Sequence, residues 1–269
     1  MIVPGTGVLA WFQLRPERRR YHATMVRVML LPGSTLCVIA IAITAASGCN
    51  SAQRPDSTDI ERFTASRIQM VERDIEDRGV DDPLVLSAML TVPREEFVPN
   101  DYRDQAYNDH PLPIGEGQTI SQPFIVALMT GLLDVEPGDK ILEIGTGSGY
   151  QAAILAEMGA EVYSIEIIPE LAKRAGEALI RRGYEIQTST GDGYFGWEEH
   201  APYDGIIVTA APDHVPAPLR NQLGPKGKMV IPVGPPGGVQ SLWLIEQRGG
   251  RWVSLNQGAV RFVPFVREQ

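Results

Sequence analysis

Apolar residues recur at helical spacing from Ile60 to Arg78, through Ile60, Phe63, Ile68, Met70, Val71 and Ile75, and Gly79 supplies a stop. Asp82-Pro83 opens a second predicted helix over Leu84 to Leu90, which Pro93 ends. Residues 97–118 hold Pro99, Pro111, Pro113, Gly115 and Gly117 and read as a long irregular loop. Loops of that length inside a compact domain are uncommon and tend to be functional. Gln122-Pro123 then starts a third helix with Phe124, Ile125, Ala127, Leu128, Leu132 and Leu133 on its apolar side.

After the turn Glu136-Pro137-Gly138-Asp139 the period changes. The pattern predicts strands at Lys140–Ile144, Glu161–Glu166, Ile186–Thr190, Gly205–Thr209, Lys228–Val233, Ser241–Glu246 and Val260–Val266. Helices are predicted at Tyr150–Met158 and at Pro169–Arg182, where Pro169 occupies a first-turn position that needs no N–H. Strand, helix, strand with short links implies an α/β fold with a mostly parallel central sheet flanked by helices. The helices ahead of it form an N-terminal addition, and no repeat of 20–50 residues is visible. The expected boundaries are a leader and polar linker over 1–58 and one domain over 59–269. Within that domain, 59–135 is the helical and loop part and 136–269 the sheet-bearing core.

The leader carries a different pattern. Met29 to Ala46 is apolar and uncharged but broken by Pro32-Gly33, and its strongest part, Leu36 to Ala46, has the length of a signal-peptide apolar region. It is short for a membrane-spanning helix. Five arginines precede it, and Ala46-Ser47-Gly48-Cys49 follows, then a polar stretch. Small residues running into Cys49 resemble a bacterial lipoprotein cleavage site. That resemblance implies export and lipidation at Cys49, with Met25 as an alternative start to Met1. The competing reading is a mis-started extension on a cytoplasmic protein.

Charge follows the same division. Of the chain's 269 residues, 43% are hydrophobic, enough for one sizeable core. The net charge of −9 conceals five Arg against one Glu in residues 1–48, which leaves 19 basic and 32 acidic residues, or −13, in the remainder. An acidic body lacks the clustered Lys and Arg that nucleic-acid binding requires. Four scattered histidines without HxxxH or HxH spacing point away from a metal enzyme. The two cysteines, Cys37 and Cys49, fall in the leader or at its end, so no disulfide is expected in the body.

Gly145-Thr146-Gly147-Ser148-Gly149 lies between a predicted strand and a predicted helix, where glycines let a ligand approach the backbone. Glu166 ends the next strand, 21 residues after Gly145, a position from which a carboxylate can accept both ribose hydroxyls of an adenosine cofactor. Dinucleotide binders favour GxGxxG. Here the spacing is GxGxG, with Glu143 two residues before the first glycine. An acid beside the turn suits S-adenosylmethionine, which has a cationic sulfonium and no phosphate. Glu143-Ile144-Gly145-Thr146-Gly147-Ser148-Gly149 resembles motif I of the class I methyltransferases, which implies their Rossmann-like fold. Gly191-Asp192-Gly193 fits that family's adenine-contacting position.

Val92-Pro93-Arg94-Glu95-Glu96-Phe97-Val98-Pro99, Ala106-Tyr107-Asn108-Asp109 and Gly117-Gln118-Thr119-Ile120-Ser121-Gln122-Pro123 resemble the N-terminal region of protein-L-isoaspartate O-methyltransferases. Val208-Thr209-Ala210-Ala211-Pro212, Ile231-Pro232-Val233-Gly234 and Val260-Arg261-Phe262-Val263-Pro264-Phe265 are similar to later segments of the same family. The likeness covers residues 60–267. It implies methyl transfer from S-adenosyl-L-methionine to the α-carboxylate of L-isoaspartyl residues in damaged proteins and peptides.

By that resemblance Ser121 is the active-site residue, its hydroxyl orienting the substrate carboxylate. On local grounds alone Ser121 reads as the N-cap of the following helix; the two roles are compatible. The resemblance also places Gln118, Thr119, Ile120, Glu143, Gly145, Gly147, Gly149, Glu166, Asp192, Gly193 and Gln240 along the cofactor, and Val263 and Pro264 in the peptide groove. Loop packing remains the alternative for Gln118 to Ile120, and a surface position for Gln240. His110, in a Pro-rich loop without a second ligand, reads as structural or exposed.

The residues leave two rival functions open. One is a different methyltransferase on the same cofactor fold, since fold does not determine the acceptor. The other is a lipid-anchored, non-catalytic binding protein on that scaffold. The expected partners are isoaspartyl proteins and peptides, the expected state is a monomer, and membrane attachment is expected only through Cys49.

Overall fold

The computed structural model describes residues 57–268. The predicted leader, Cys49 included, lies outside the described residues.

The first helical run begins as α1 (Ser57–Gln69), widens into a π-helical stretch at Met70–Ile75 and tightens to a 3-10 turn before Gly79, whose φ of 92° ends it. Phe63, Met70, Val71 and Ile75 are buried, whereas Ile60 and Ile68 are exposed. The apolar stripe is therefore narrower than the sequence period implies. Asp82 caps α2 (Pro83–Thr91), its carboxylate accepting the N–H groups of Leu84 at 2.8 Å and Val85 at 3.3 Å.

The segment expected to be an irregular loop contains a small hairpin. β1 (Leu112–Gly115) pairs antiparallel with β2 (Gln118–Ile120) through a turn in which Gly115, Glu116 and Gly117 all have positive φ. Two short strands among prolines and glycines leave too few residues for period-two alternation to register. The chain then enters α3 (Pro123–Leu133).

Seven strands form the main sheet: β3 (Lys140–Ile144), β4 (Glu161–Glu166), β5 (Gln187–Thr190), β6 (Tyr203–Val208), β7 (Leu223–Val233), β8 (Gln240–Arg248) and β9 (Arg251–Val260). Their spatial order is β5-β4-β3-β6-β7-β8-β9, parallel from β5 to β7 and antiparallel at β8 and β9. The helices α4 (Tyr150–Glu157) and α5 (Pro169–Arg182), together with a short α6 (Ala217–Asn221) that the sequence pattern did not reveal, complete the α-helices, with short 3-10 helices in the links. Residues along β3 alternate between two cores. Ile141 joins the one shared with the N-terminal helices, and Leu142 and Ile144 join the other. Burial on both faces explains why these strands read as continuous apolar runs.

The final strand was expected at Val260–Val266. Instead β9 ends at Val260, and the segment beyond it makes a single bridge between Pro264 and Ala211. The hairpin between β8 and β9 turns at Gly249-Gly250, with φ of 58° and 75°, a two-residue turn whose twist suits paired strands. Because β9 is the sheet edge and half-exposed, its mixed composition carries little apolar signal.

Strand order reverses between β3 and β6. In parallel α/β sheets ligands bind outside the carboxyl ends of strands at such a switch point. Here Ile144 pairs with Ile165 of β4 and Val208 of β6, so the residues that follow these three strands emerge side by side.

Candidate active site

The turn after β3 is held by its neighbours. Gly145 and Thr146 donate their N–H groups to the Ile165 carbonyl at 2.8 and 3.3 Å, and the Thr209 hydroxyl, just beyond β6, donates to the Gly145 carbonyl at 2.7 Å. Gly145 has a φ of 97°, and a Cβ there would stand 2.5 Å from the Thr209 Oγ1. Only glycine satisfies both demands, so the turn can lie open to a ligand. Gly147 donates its N–H to Glu166 Oε2 at 2.8 Å, while Gly149 precedes α4 and lies against Leu179 and Ala175 of α5.

Glu166 is nearly buried, and its second oxygen accepts the Ile168 N–H at 2.9 Å. Two backbone donors thus orient the carboxylate, and each oxygen keeps a further lone pair for a ribose hydroxyl. Glu143 is fully buried. Its β4 partner in register is Ser164, whose hydroxyl donates to Glu143 Oε2 and lies 2.6 Å from the Thr146 hydroxyl. Burial pushes the Glu143 carboxyl up to about 8, more than the Ser164 hydrogen bond pulls it down. Oε1 of Glu143 has no hydrogen-bond partner. An unpartnered buried carboxyl oxygen beside an open glycine turn, in one cleft with a second, backbone-oriented carboxylate, fits a cofactor with a cationic end, which would favour its ionised form, and a ribose diol.

Glu143, Gly145, Gly147 and Glu166 share a cleft with Gln118, Thr119, Ile120, Ser121 and Val263. A second groove of about 490 Å³ adjoins it, lined by Gln122, Ile125, Val239 and Ala259 to Val263. Thr119, Ser121 and Val263 line both, and so form the wall between them. Thr209 and Gln151, which the sequence reading did not select, line the first cleft.

Other sequence-selected residues stand further off. The Asp192 carboxylate accepts the Tyr194 N–H at 3.0 Å and the Arg267 Nε–H at 2.7 Å, and it lines neither cleft. Gly193 lines an adjoining niche with Phe265 and Val266. Gln240 is buried and works as a staple: its amide donates to the Pro235 carbonyl at 3.1 Å and accepts the Phe262 N–H at 2.9 Å. Pro264 bridges to Ala211 and lines neither cleft, while the Val263 carbonyl accepts the Ala211 N–H at 2.9 Å. His110 is exposed, with Nδ1 3.0 Å from the Pro111 carbonyl.

The local reading of Ser121 as N-cap is corrected. Gln122 is the N-cap of α3, and the side chain that caps the helix is Asp109, whose Oδ1 accepts the Phe124 N–H at 3.2 Å. Asp109 Oδ2 also accepts from Gln122 Nε2 and from Arg78 Nη1, each at 2.6 Å. A carboxylate from twelve residues upstream of Ser121 thus does the capping. The Ser121 hydroxyl stays out of it, on the wall between the two clefts.

Comparison with known proteins agrees with this geometry. Residues 65–269 match the family model described as protein-L-isoaspartate(D-aspartate) O-methyltransferase. The chain is 53% identical over 201 residues to the protein-L-isoaspartate O-methyltransferase of Gloeobacter violaceus, covering 74% of this chain and 98% of that one. It is 49% identical over 245 residues to protein-L-isoaspartate O-methyltransferase 2 of Syntrophobacter fumaroxidans, covering 87% and 96%. Among solved structures it is similar to a beta-aspartate methyltransferase from Plasmodium falciparum in complex with S-adenosyl-L-homocysteine. That match has a TM-score of 0.65 at 26% identity, over 74% of this chain and 98% of that one.

Proposed function

The chain belongs to the protein-L-isoaspartate(D-aspartate) O-methyltransferase family, and from that membership we infer that Ser121 orients the substrate carboxylate at the wall between cofactor cleft and peptide groove. The protein transfers a methyl group from S-adenosyl-L-methionine to the free α-carboxylate of L-isoaspartyl residues. The resulting ester closes to a succinimide, whose hydrolysis returns part of the damaged protein to normal aspartyl linkage. The observation that carries the site assignment is the sharing of Thr119, Ser121 and Val263 by the two clefts.

When bound, S-adenosyl-L-methionine supplies a methyl group on a cationic sulfur, open to in-line displacement. Glu143, with its free Oε1, would hold the cationic end, and Glu166 the ribose. The bare backbone of the Gly145 turn would leave room for the ligand in the cleft that both acids line. A substrate carboxylate is already ionised at pH 7, so the chain needs no general base. What Ser121 contributes is orientation, an effect able to supply much of the rate acceleration in such displacements. The C-terminal segment, through Val263, offers backbone along the groove, which suits acceptors with varied flanking residues. Asp192 and Gly193 would border the adenine end.

Paired assays test the function: labelled cofactor with an isoaspartyl peptide and with its normal aspartyl twin. Labelling confined to the isoaspartyl peptide is the expected result, and equal or absent labelling of both opposes it. Titration with S-adenosylhomocysteine separates the enzyme from a non-catalytic binding protein that lacks the cofactor.

The finer assignments rest on the sequence. Export with lipid anchoring at Cys49 is supported by the basic, apolar and small-residue order of residues 15–49. Membrane attachment would then run through that lipid alone, and a cytoplasmic location follows if the leader is not functional. A monomer is the proposed oligomeric state. Fractionation with an antibody to the body tests the anchoring, because a purely soluble cytoplasmic pool opposes it.

A further inference from the structure

Arg94 is a cation in the interior with no carboxylate at salt-bridge distance among the described residues. It is 0% exposed. Its Nε donates to the Ala106 carbonyl at 2.7 Å and its Nη2 to the Ser121 carbonyl, also at 2.7 Å. Nη1 is buried without a partner. Cζ lies 4.9 Å from the centre of the Tyr150 ring, at the start of α4. Burial draws the guanidinium down to about 10, so it still carries its charge at neutral pH.

Such a group is costly to bury, and an apolar side chain of similar volume would fill the space without leaving a donor unsatisfied. What an apolar side chain could not do is bind two carbonyls at once. The guanidinium is a rigid planar fork with five N–H donors, whereas a lysine ammonium is a point charge on a flexible stem. The two carbonyls belong to residues on either side of the β1–β2 hairpin, so one side chain ties both ends of the segment that carries residues 118–121. Neither carbonyl has a ladder partner to hold it otherwise.

The Ser121 peptide is thereby held from both sides. Arg94 holds its own carbonyl, and Asp109 holds the Gln122 side chain and the Phe124 N–H that follow. The side chain of Ser121 is left with little freedom beyond its own rotation. In a reaction whose acceleration comes from orientation, this is where precision has value.

We propose that Arg94 is a positioning residue for methyl transfer: its fork, by holding the Ser121 and Ala106 carbonyls together, determines where the Ser121 hydroxyl stands relative to the methyl donor. The proposal rests on the reading of Ser121 as the substrate-orienting residue. It adds a residue that reaches neither substrate nor cofactor and acts through another. A purely structural role and a purely electrostatic one, in which the buried charge attracts the substrate carboxylate, make different predictions.

The test uses the full chain with Arg94→Lys, Arg94→Gln, Ser121→Ala and the double variants Arg94→Lys/Ser121→Ala and Arg94→Gln/Ser121→Ala. Each is measured for S-adenosylhomocysteine affinity, and for kcat and KM with an isoaspartyl peptide. Arg94→Lys keeps the charge and loses the fork, and its kcat should fall by about tenfold or more while cofactor affinity and KM stay within about threefold. Arg94→Gln should fall at least as far. Combined with Ser121→Ala, either change should cost less than about twofold further, because coupled residues are not additive.

Normal kcat in Arg94→Lys overturns the fork in favour of charge alone. Losses that multiply in the double variants overturn the proposal while leaving Ser121 in place. Loss of S-adenosylhomocysteine binding in both Arg94 variants assigns Arg94 to the fold and overturns it as well. Full activity in Ser121→Ala removes the reading beneath it, a result distinct from each of the others.

Discussion

The carboxylate of Asp109 caps α3 by accepting the Phe124 N–H at 3.2 Å, a task that local sequence rules would give to Ser121. Relieved of capping, Ser121 stands on the wall between the two clefts with its carbonyl held by Arg94. Ser121→Ala should therefore leave the fold and S-adenosylhomocysteine affinity nearly unchanged and slow methyl transfer by about 100-fold, the scale set by lost orientation. Steady-state assays beside calorimetric titration check this. Unchanged turnover in a folded variant removes Ser121 from the mechanism.

Asp109→Ala removes the cap of α3 and frees Gln122 and Arg78 together. A lost cap costs about 1–2 kcal/mol. In a domain of this size that lowers the melting temperature by about 2–4 °C per kcal/mol. Thermal denaturation should show this, with a slower methyl transfer because the backbone beside Ser121 is loosened. An unaltered melting temperature means that the cap contributes little.

Glu143 should couple cofactor binding to protons. Its carboxyl has an ordinary value of 4.5 and is raised by burial to about 8 in the fold. The folded protein therefore holds an extra proton between those values. This stabilisation is complete below pH 4.5 and is lost as pH rises towards 8. A cationic ligand favours the ionised form, so S-adenosylmethionine affinity should rise across pH 6 to 8. Glu143→Gln should flatten the dependence of melting temperature on pH. It should also weaken cofactor binding at pH 8 and abolish its rise with pH. Parallel slopes for the variant and the unsubstituted protein contradict the assignment.

Gly145→Ala places a methyl group 2.5 Å from the Thr209 hydroxyl at a φ of 97°. Strain of this kind costs about 1–3 kcal/mol. Relief requires the turn to shift, which should abolish measurable S-adenosylhomocysteine binding in calorimetry. Combination with Thr209→Ala removes the clash but not the backbone strain, and should recover only part of the binding.

Gln240→Ala separates two readings of a buried amide. It breaks hydrogen bonds to the Pro235 carbonyl and the Phe262 N–H, which should cost about 1–3 kcal/mol. The effect should appear in thermal stability and in KM for the peptide, since Phe262 lines the groove. S-adenosylhomocysteine affinity should hold. A selective loss of cofactor affinity would restore Gln240 to the cofactor side.

Much of this molecule was legible along the chain, for identifiable reasons. The strand, glycine turn and helix from Lys140 to Glu157 are local structure, so period and turn chemistry suffice to read them. Glu166 was legible because strand length and a short crossover place it at the same sheet edge as Gly145. The β9 strand was not, since an exposed edge tolerates the polar residues of Trp252 to Gly258 and loses its apolar signature. Nor was Gln240, whose partners come from Pro235 and Phe262, the latter 22 residues on.

By itself the sequence determined the α/β class, the parallel core around β3 and the cofactor motif, because each is written in neighbours a few residues apart. Only the tertiary structure decided which side chains serve Ser121. Arg94 reaches its carbonyl across 27 residues of chain, and Asp109 holds the Gln122 side chain and the Phe124 N–H beside it across 13 and 15. An arginine and an aspartate read as solvated until the fold shows them enclosed. Burial and long-range partnership are properties of packing, and no local pattern encodes them.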